Sequence, residues 1–434
     1  MLKTIPTPGE TSWFTHDRFG LFIHFGTYAL AARHEWIKQF EQVEDEPYMK
    51  YFHHFDPDLY DPDQWADAAV AAGMKYFLIT TKHHEGFSLW DTRLSDYKST
   101  NTPYGKDILR PMVDAFRARG LRIGFYHSLI DWHHEHFTVD DMHPQRNHPD
   151  REEMNRGRDI ARYARFLHGQ VRELLTEFGQ LDILWCDFSY PSSSHGRPDN
   201  WVGKGRDDWQ SEKLRDMIRD LAPNIILNDR MDLEEGWDVK TPEQVQPTQW
   251  VHFNGKPVVW EACQTFSGSW GYHRDESSWK SVDMLVQMLI DTVSKGGNLV
   301  LNVGPTGRGE FDQRAIDRLN GIGQWMKRHA RSIYGCTQAP EPFTAPTDAR
   351  LTYNPDTNRL YVHLFAWPFK HLHLEGLGGK VAYAQLLNDA SELLLSQEGA
   401  GHNEYLGTGA DTLRIELPVT RPPVTVPVVE LFLK

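Results

Sequence analysis

From residue 19 to about 305 the chain alternates short apolar runs with longer segments whose apolar residues recur every three to four positions. The runs are FGLFIHFG (19–26), YFLITTKHH (76–84), LRIGFYHS (121–128), DILWCDF (182–188), IILNDR (225–230), VVWEAC (258–263) and LVLNVGP (299–305). Their length and β-branched and aromatic content predict strands. The segments between them predict helices with legible ends. DPDQWADAAVAAG offers Asp61 as N-cap, Pro62 in the first turn and Gly73 past the last. The segment ending in EFG carries a stripe of Ile160, Tyr163, Ala164, Leu167, Val171, Leu174, Leu175 and Phe178, closed by Gly179. MLVQMLIDTVSKGG repeats the design ahead of Leu299.

Strands buried on both faces and returned through helices imply a parallel sheet. Seven of them over about 300 residues predict an α/β fold, a closed (β/α)8-type barrel with one strand unrecognised or irregular, rather than an open doubly wound sheet. No GxGxxG follows the first strand, which weakens the dinucleotide-binding alternative. Past Gly335 the texture changes to RLYVHLF, HLHLEG, VAYAQLL, TLRIELP and VPVVELFL, short strands separated by turns. These predict a C-terminal all-β sandwich. The expected division is a catalytic barrel over 1–335 and a sandwich over 336–434.

Composition narrows the partners. The chain has 434 residues, 40% of them hydrophobic and 12% aromatic, which is enough for a packed core. Its 46 basic and 60 acidic residues give a net charge of −14, so neither nucleic acid nor an anionic membrane is expected as a partner. With 22 histidines and 15 tryptophans, a polar ring-shaped small molecule suits it better. Cys186, Cys263 and Cys336 suggest no disulfide framework. The start, MLKTIPTPGETSWF, lacks the basic-then-apolar pattern of a signal peptide, and the expectation is a cytoplasmic protein.

A barrel of this kind carries its chemistry at the carboxyl ends of its strands. Those ends hold His24; His83, His84 and Glu85; Tyr126, His127 and Ser128; Asp187; Asn228, Asp229 and Arg230; and Glu261. A single strand-end histidine is more often structural, and Asp187 alone could cap a helix or pair with an arginine. Glu85, before Gly86, reads as a turn residue, and Glu243 in TPEQ as a loop residue after a proline. Six such ends together suit glycosidic cleavage, in which one carboxylate attacks the anomeric carbon and a second, protonated, serves the leaving oxygen. The rival is a metal hydrolase. Adjacent His83 and His84 on a strand would face opposite ways, and His133, His134 and His136 lie in a loop without an acidic or cysteine partner, so no metal and no cofactor is expected. A sugar-binding protein without activity would lack a carboxylate, and none is missing.

At these strand ends the chain resembles glycoside hydrolase family 29, the retaining α-L-fucosidases, from residue 13 to about 340. The resemblance rests on WFTHDRFGLFIHFG, the HEW at 34–36, TTKHHEGFSLWDT, GFYHSLIDWHH, LWCDFSYP, ILNDR, KTPEQ, VVWEACQTFSGSWGY and KGGNLVLNVGPTGRGEF, in order. It implies that Asp187 is the nucleophile and that His24, Glu35, Trp36, His83, His84, Tyr126 and His127 hold the sugar, His127 standing where the family has a second tyrosine. It further implies that Trp185 lies beside the nucleophile and Arg230 near the acid, and that Trp270 or another aromatic walls the C6 methyl. The acid/base is assigned to Glu243, with Glu261 and Glu35 as alternatives. The implied substrate is a fucosylated glycan or glycoside, a related sugar such as L-galactose remaining open; a homo-oligomer is an expectation of the family alone.

Overall fold

The computed structural model describes residues 3–194, 196–397, 409 and 411–434. All seven apolar runs become strands of one parallel sheet: β1 (Phe19–Ile23), β2 (Tyr76–Lys82), β3 (Arg122–Ser128), β4 (Ile183–Asp187), β5 (Ile226–Leu227), β8 (Glu261–Thr265) and β9 (Asn298–Val303). A two-strand hairpin, β6 (His252–Phe253) and β7 (Lys256–Pro257), stands outside it. The sheet order is β5-β4-β3-β2-β1-β9-β8, which leaves β5 and β8 as edges.

The chain between those edges closes the barrel. Parallel bridges join Asn228 to Val239 on one side and Lys240 to Trp260 and Glu243 to Cys263 on the other. Lys240 N–H donates to Val259 O (3.0 Å), Glu261 N–H to Lys240 O (2.9 Å) and Cys263 N–H to Pro242 O (3.1 Å). Residues 239–243 are therefore the irregular eighth stave. Pro242 has no N–H to give the ladder, which explains why neither pattern nor hydrogen bonding makes it a continuous strand. The expectation that TPEQ is a loop is corrected here: Glu243 rides on a barrel stave, and Glu261 belongs to the stave after it.

Helices cover the outside as the pattern predicts. Asp61 accepts the N–H groups of Asp63 and Gln64 to start helix Pro62–Ala71. Helix Ile160–Glu177 turns Tyr163, Leu167, Val171 and Leu174 inward, and helix Val282–Ser294 buries Leu285, Val286, Leu289 and Ile290. Each such aliphatic or aromatic burial stabilises the fold by about 1.5–3 kcal/mol. Inside the barrel the alternate residues of the staves, among them Phe22, Tyr76, Tyr126, Trp185, Val239, Cys263 and Val300, pack as one cluster. Gly20 makes room for it: a Cβ there would stand 2.2 Å from the Tyr76 ring.

The last hundred or so residues form two antiparallel sheets over a shared core. One runs β10-β11-β12-β17-β14, from β10 (Thr337–Gln338), β11 (Ala349–Asn354), β12 (Arg359–Leu364), β14 (Val381–Leu386) and β17 (Val428–Leu433). The other runs β13-β16-β15, from β13 (His371–Glu375), β15 (Leu395–Gln397) and β16 (Thr412–Glu416). Leu351, Leu360, Val362, Leu374, Ile415 and Leu431 fill the space between them. Polar bonds tie this unit to the barrel: Trp325 Nε1 donates to Val426 O (2.8 Å), Arg18 Nε to Cys336 O (2.9 Å) and Arg350 Nε to Asp291 Oδ1 (2.6 Å).

Candidate active site

Period-two alternation sends every second residue of a stave into the barrel, and the uppermost inward residues meet in a cavity of about 390 Å³. Asp187, the last residue of β4, is 6% exposed. The Tyr126 hydroxyl donates to its Oδ2 (2.8 Å) and Arg230 Nη1 to its Oδ1 (3.0 Å). The same Nη1 donates to Glu243 Oε2 at 2.6 Å. One guanidinium nitrogen thus bonds both carboxylates, which holds the pair side by side on one cavity wall, the arrangement that glycosidases with two carboxyl groups use. Arg230 is itself held by Thr241, through Nε to Oγ1 and Nη2 to O, both 3.0 Å. Its guanidinium lies 4.4 Å from the Trp185 ring centre. Burial raises the Asp187 pKa above the ordinary 3.8, as does the neighbouring Glu243 charge, while Arg230 opposes the shift.

The histidines are fixed from behind. His24 Nδ1 donates to Asn302 Oδ1 (2.6 Å), and Asn302 Nδ2 donates to Trp270 O (2.6 Å), which sets the amide and so the imidazole tautomer. Ser128 Oγ gives its proton to Ile130 O (2.8 Å), so His84 Nδ1 must donate to Ser128 Oγ (2.7 Å). Burial, with His83 as a second cause, holds both His24 and His84 well below the ordinary 6.5. Each is therefore neutral at neutral pH, with Nε2 left to accept from a hydroxyl. Glu35 is fully buried and accepts the Gly271 N–H at Oε2 (2.8 Å). Trp36 sits edge-on to His84 with ring centres 4.9 Å apart.

Of the residues named from the sequence, His24, Glu35, Trp36, His83, His84, Tyr126, Trp185, Asp187, Arg230, Glu243 and Trp270 all line this cavity. Two do not. His127 follows Tyr126 on β3 and points out of the barrel, where its Nδ1 meets Thr81 Oγ1 at 2.9 Å. Glu261 faces inward but one layer too deep: Glu243 is level with Cys263, two residues, or about 7 Å, above it. There Glu261 accepts the Tyr76 hydroxyl (2.5 Å), and burial raises its pKa to about 7. The expectation that His83 and His84 face opposite ways is also corrected. β2 ends at Lys82 after a register shift, so both histidines lie past the pleat and both line the cavity, their rings 4.1 Å apart. His34, Phe40, Phe188 and Gln244 join the lining unforeseen, although His34 stands in the HEW motif and Phe188 directly follows Asp187.

A family model described as α-L-fucosidase matches residues 6–331. The chain is 41% identical to α-L-fucosidase isoenzyme 1 from Paenibacillus thiaminolyticus, with 98% of each chain covered and a TM-score of 0.89. The α-fucosidase of Thermotoga maritima, solved in complex with a mechanism-based inhibitor, is 26% identical, with 98% of this chain and 97% of that one covered at a TM-score of 0.77. Human plasma α-L-fucosidase is 28% identical over 388 residues, which cover 82% of this chain and 76% of the human one.

Proposed function

The chain belongs to the α-L-fucosidase family, glycoside hydrolase family 29, and is a glycosidase of α-L-fucosyl linkages; on that premise we propose that Asp187 is its nucleophile and Glu243 its acid/base. The observation that carries the assignment is the Arg230 bridge: one guanidinium nitrogen bonds two carboxylates from different staves, and both line one cavity. The Thermotoga maritima relative, 26% identical, was solved with a mechanism-based inhibitor, which supports a catalytic reading of the chain.

In the first step an Asp187 oxygen bonds to the anomeric carbon as the bond to the leaving oxygen breaks, and the Glu243 carboxyl proton passes to that oxygen. In the second, Glu243 takes a proton from water, the water oxygen bonds to the anomeric carbon, and Asp187 leaves. Arg230 and Tyr126 keep Asp187 anionic against the burial that favours its neutral form. Neutral His24 and His84 accept from ring hydroxyls, as does the Glu35 carboxylate. Trp270 and Phe22, with ring centres 6.0 Å apart, offer an apolar wall for the C6 methyl.

Glu243→Gly and Asp187→Ala, each assayed on aryl α-L-fucoside with azide, test the roles. Each displacement inverts the anomeric carbon. Glu243→Gly should lose about 10²–10⁴-fold in turnover and, with azide, release α-L-fucosyl azide by way of the covalent intermediate. Asp187→Ala should release β-L-fucosyl azide, from one displacement. Near-normal turnover in Glu243→Gly would hand the acid role to Glu35, the other carboxylate on the cavity wall.

A further inference from the structure

The catalytic cavity has a closed floor and an open rim. Its rim consists of the solvent-exposed lining residues Phe40, Glu243, Gln244 and Gly268, whereas Asp187, His24, His84 and Tyr126 are buried beneath. Since Glu243 delivers its proton to the leaving oxygen, the leaving group lies at the rim. Phe40 is the sole apolar side chain among those four, and its ring is 60% exposed. Folding alone does not account for it: Phe40 ends a four-residue helix, Ile37–Phe40, whose Ile37, Lys38 and Gln39 are all buried while Phe40 is not.

The ring is held in place before any substrate arrives. It stacks on Trp36 at 6.1 Å between centres with 29° between planes, and the His34 ring centre stands 4.9 Å from its own. Trp36 is in turn wedged against Trp132 and Phe188, each at 5.3 Å. The backbone leading to the helix is latched to a second loop by the Arg33–His273 bridge, by Arg274 N–H to Ala32 O (3.1 Å) and by Gly271 N–H to Glu35 Oε2 (2.8 Å). A fixed, exposed aromatic face on the rim of the cavity is what a pyranose recognises with its C–H face.

We propose that Phe40 is a specificity-determining residue, the platform on which a pyranose leaving group stacks. The inference rests on the α-L-fucosidase reading of the cavity and goes beyond it to the leaving group.

The test compares kcat/KM on an α-L-fucosyl-galactose disaccharide with kcat/KM on α-L-fucosyl fluoride, whose leaving group has no ring. Phe40→Ala should lower the disaccharide-to-fluoride ratio about five- to tenfold, and Phe40→Trp should keep it at or above the wild-type value. An unchanged ratio in Phe40→Ala overturns the proposal, whether both rates hold or both fall together. A ratio that falls equally in Phe40→Trp also overturns it, because a packing defect rather than a lost aromatic face would then be the cause. Wild-type protein inert on the fluoride would overturn the reading of the cavity itself, an outcome distinct from either result on Phe40.

Discussion

Two buried glutamates, one at each end of the chain, show how differently the same group is used. Glu430, on β17 of the C-terminal sheets, is 2% exposed and takes Gln385 Nε2 at 2.6 Å, Arg331 Nη2 at 2.9 Å and the Tyr361 hydroxyl at 3.3 Å. Both of its oxygens are closed. Glu35, on the cavity wall, is 0% exposed and takes a single backbone N–H at Oε2, while Oε1 has no hydrogen-bond partner among the described residues and lies 3.3 Å from His34 Nδ1. A buried carboxylate left half open is costly for folding and persists where a ligand completes it. The closed acid ties a sheet to its neighbours, and the open one keeps an acceptor oxygen in the cavity.

That contrast breaks most sharply at Glu430. Replacing it with Ala leaves Gln385 and Tyr361 without their buried acceptor, while Arg331, 55% exposed, turns to water; the change should cost about 1–3 kcal/mol of stability. Urea unfolding should show the loss, while kcat/KM per folded molecule stays within about twofold, because no cavity residue contacts Glu430. A stability change below about 1 kcal/mol would remove the distinction. Glu35→Ala should do the reverse. It removes an acceptor from the cavity wall and, on the proposed reading, should lower kcat/KM by roughly 10–100-fold, with the unfolding midpoint unchanged or raised. A Glu35→Ala protein that unfolds earlier and binds as well would mean that Glu35 serves packing.

The barrel was legible in the sequence because its seven regular staves are buried on both faces and so read as unbroken apolar runs. The eighth was not, since Val239 to Glu243 carries Lys240 and Pro242 and its ladder is interrupted. That single irregular stave is what brings Glu243 to Asp187. The same limit applies to Glu261: inward direction follows from period two, but depth depends on how neighbouring staves are staggered, which a sequence does not display. His127 lies outside the cavity for a simpler reason, being one residue out of phase with Tyr126 on the same strand. His83 and His84 both line it despite the pleat argument, because the strand ends just before them. On the rim, Phe40 carries no signal of its own, since a lone aromatic in a short polar stretch acquires meaning only from what it stacks upon.

Glu261 supplies the third use of a buried acid, neither closed by cations nor left open, but kept neutral. It is 1% exposed, accepts the Tyr76 hydroxyl at 2.5 Å, and burial lifts its pKa from the ordinary 4.5 to about 7. The folded protein therefore keeps a proton that the unfolded chain releases above about 4.5. Between about 4.5 and 7 the native state binds more protons, so stability falls as pH rises through that window and levels off above it. The slope should approach roughly 1 kcal/mol per pH unit at its steepest. Glu261→Gln keeps an acceptor for Tyr76 but removes the titration. Thermal midpoints taken at intervals from pH 5 to pH 8 should converge toward the variant's disadvantage at the acid end and separate in its favour above neutrality. Wild-type and variant curves that run parallel across the window would show Glu261 to be ionised throughout, and the cavity would then stand above a buried anion rather than a buried acid.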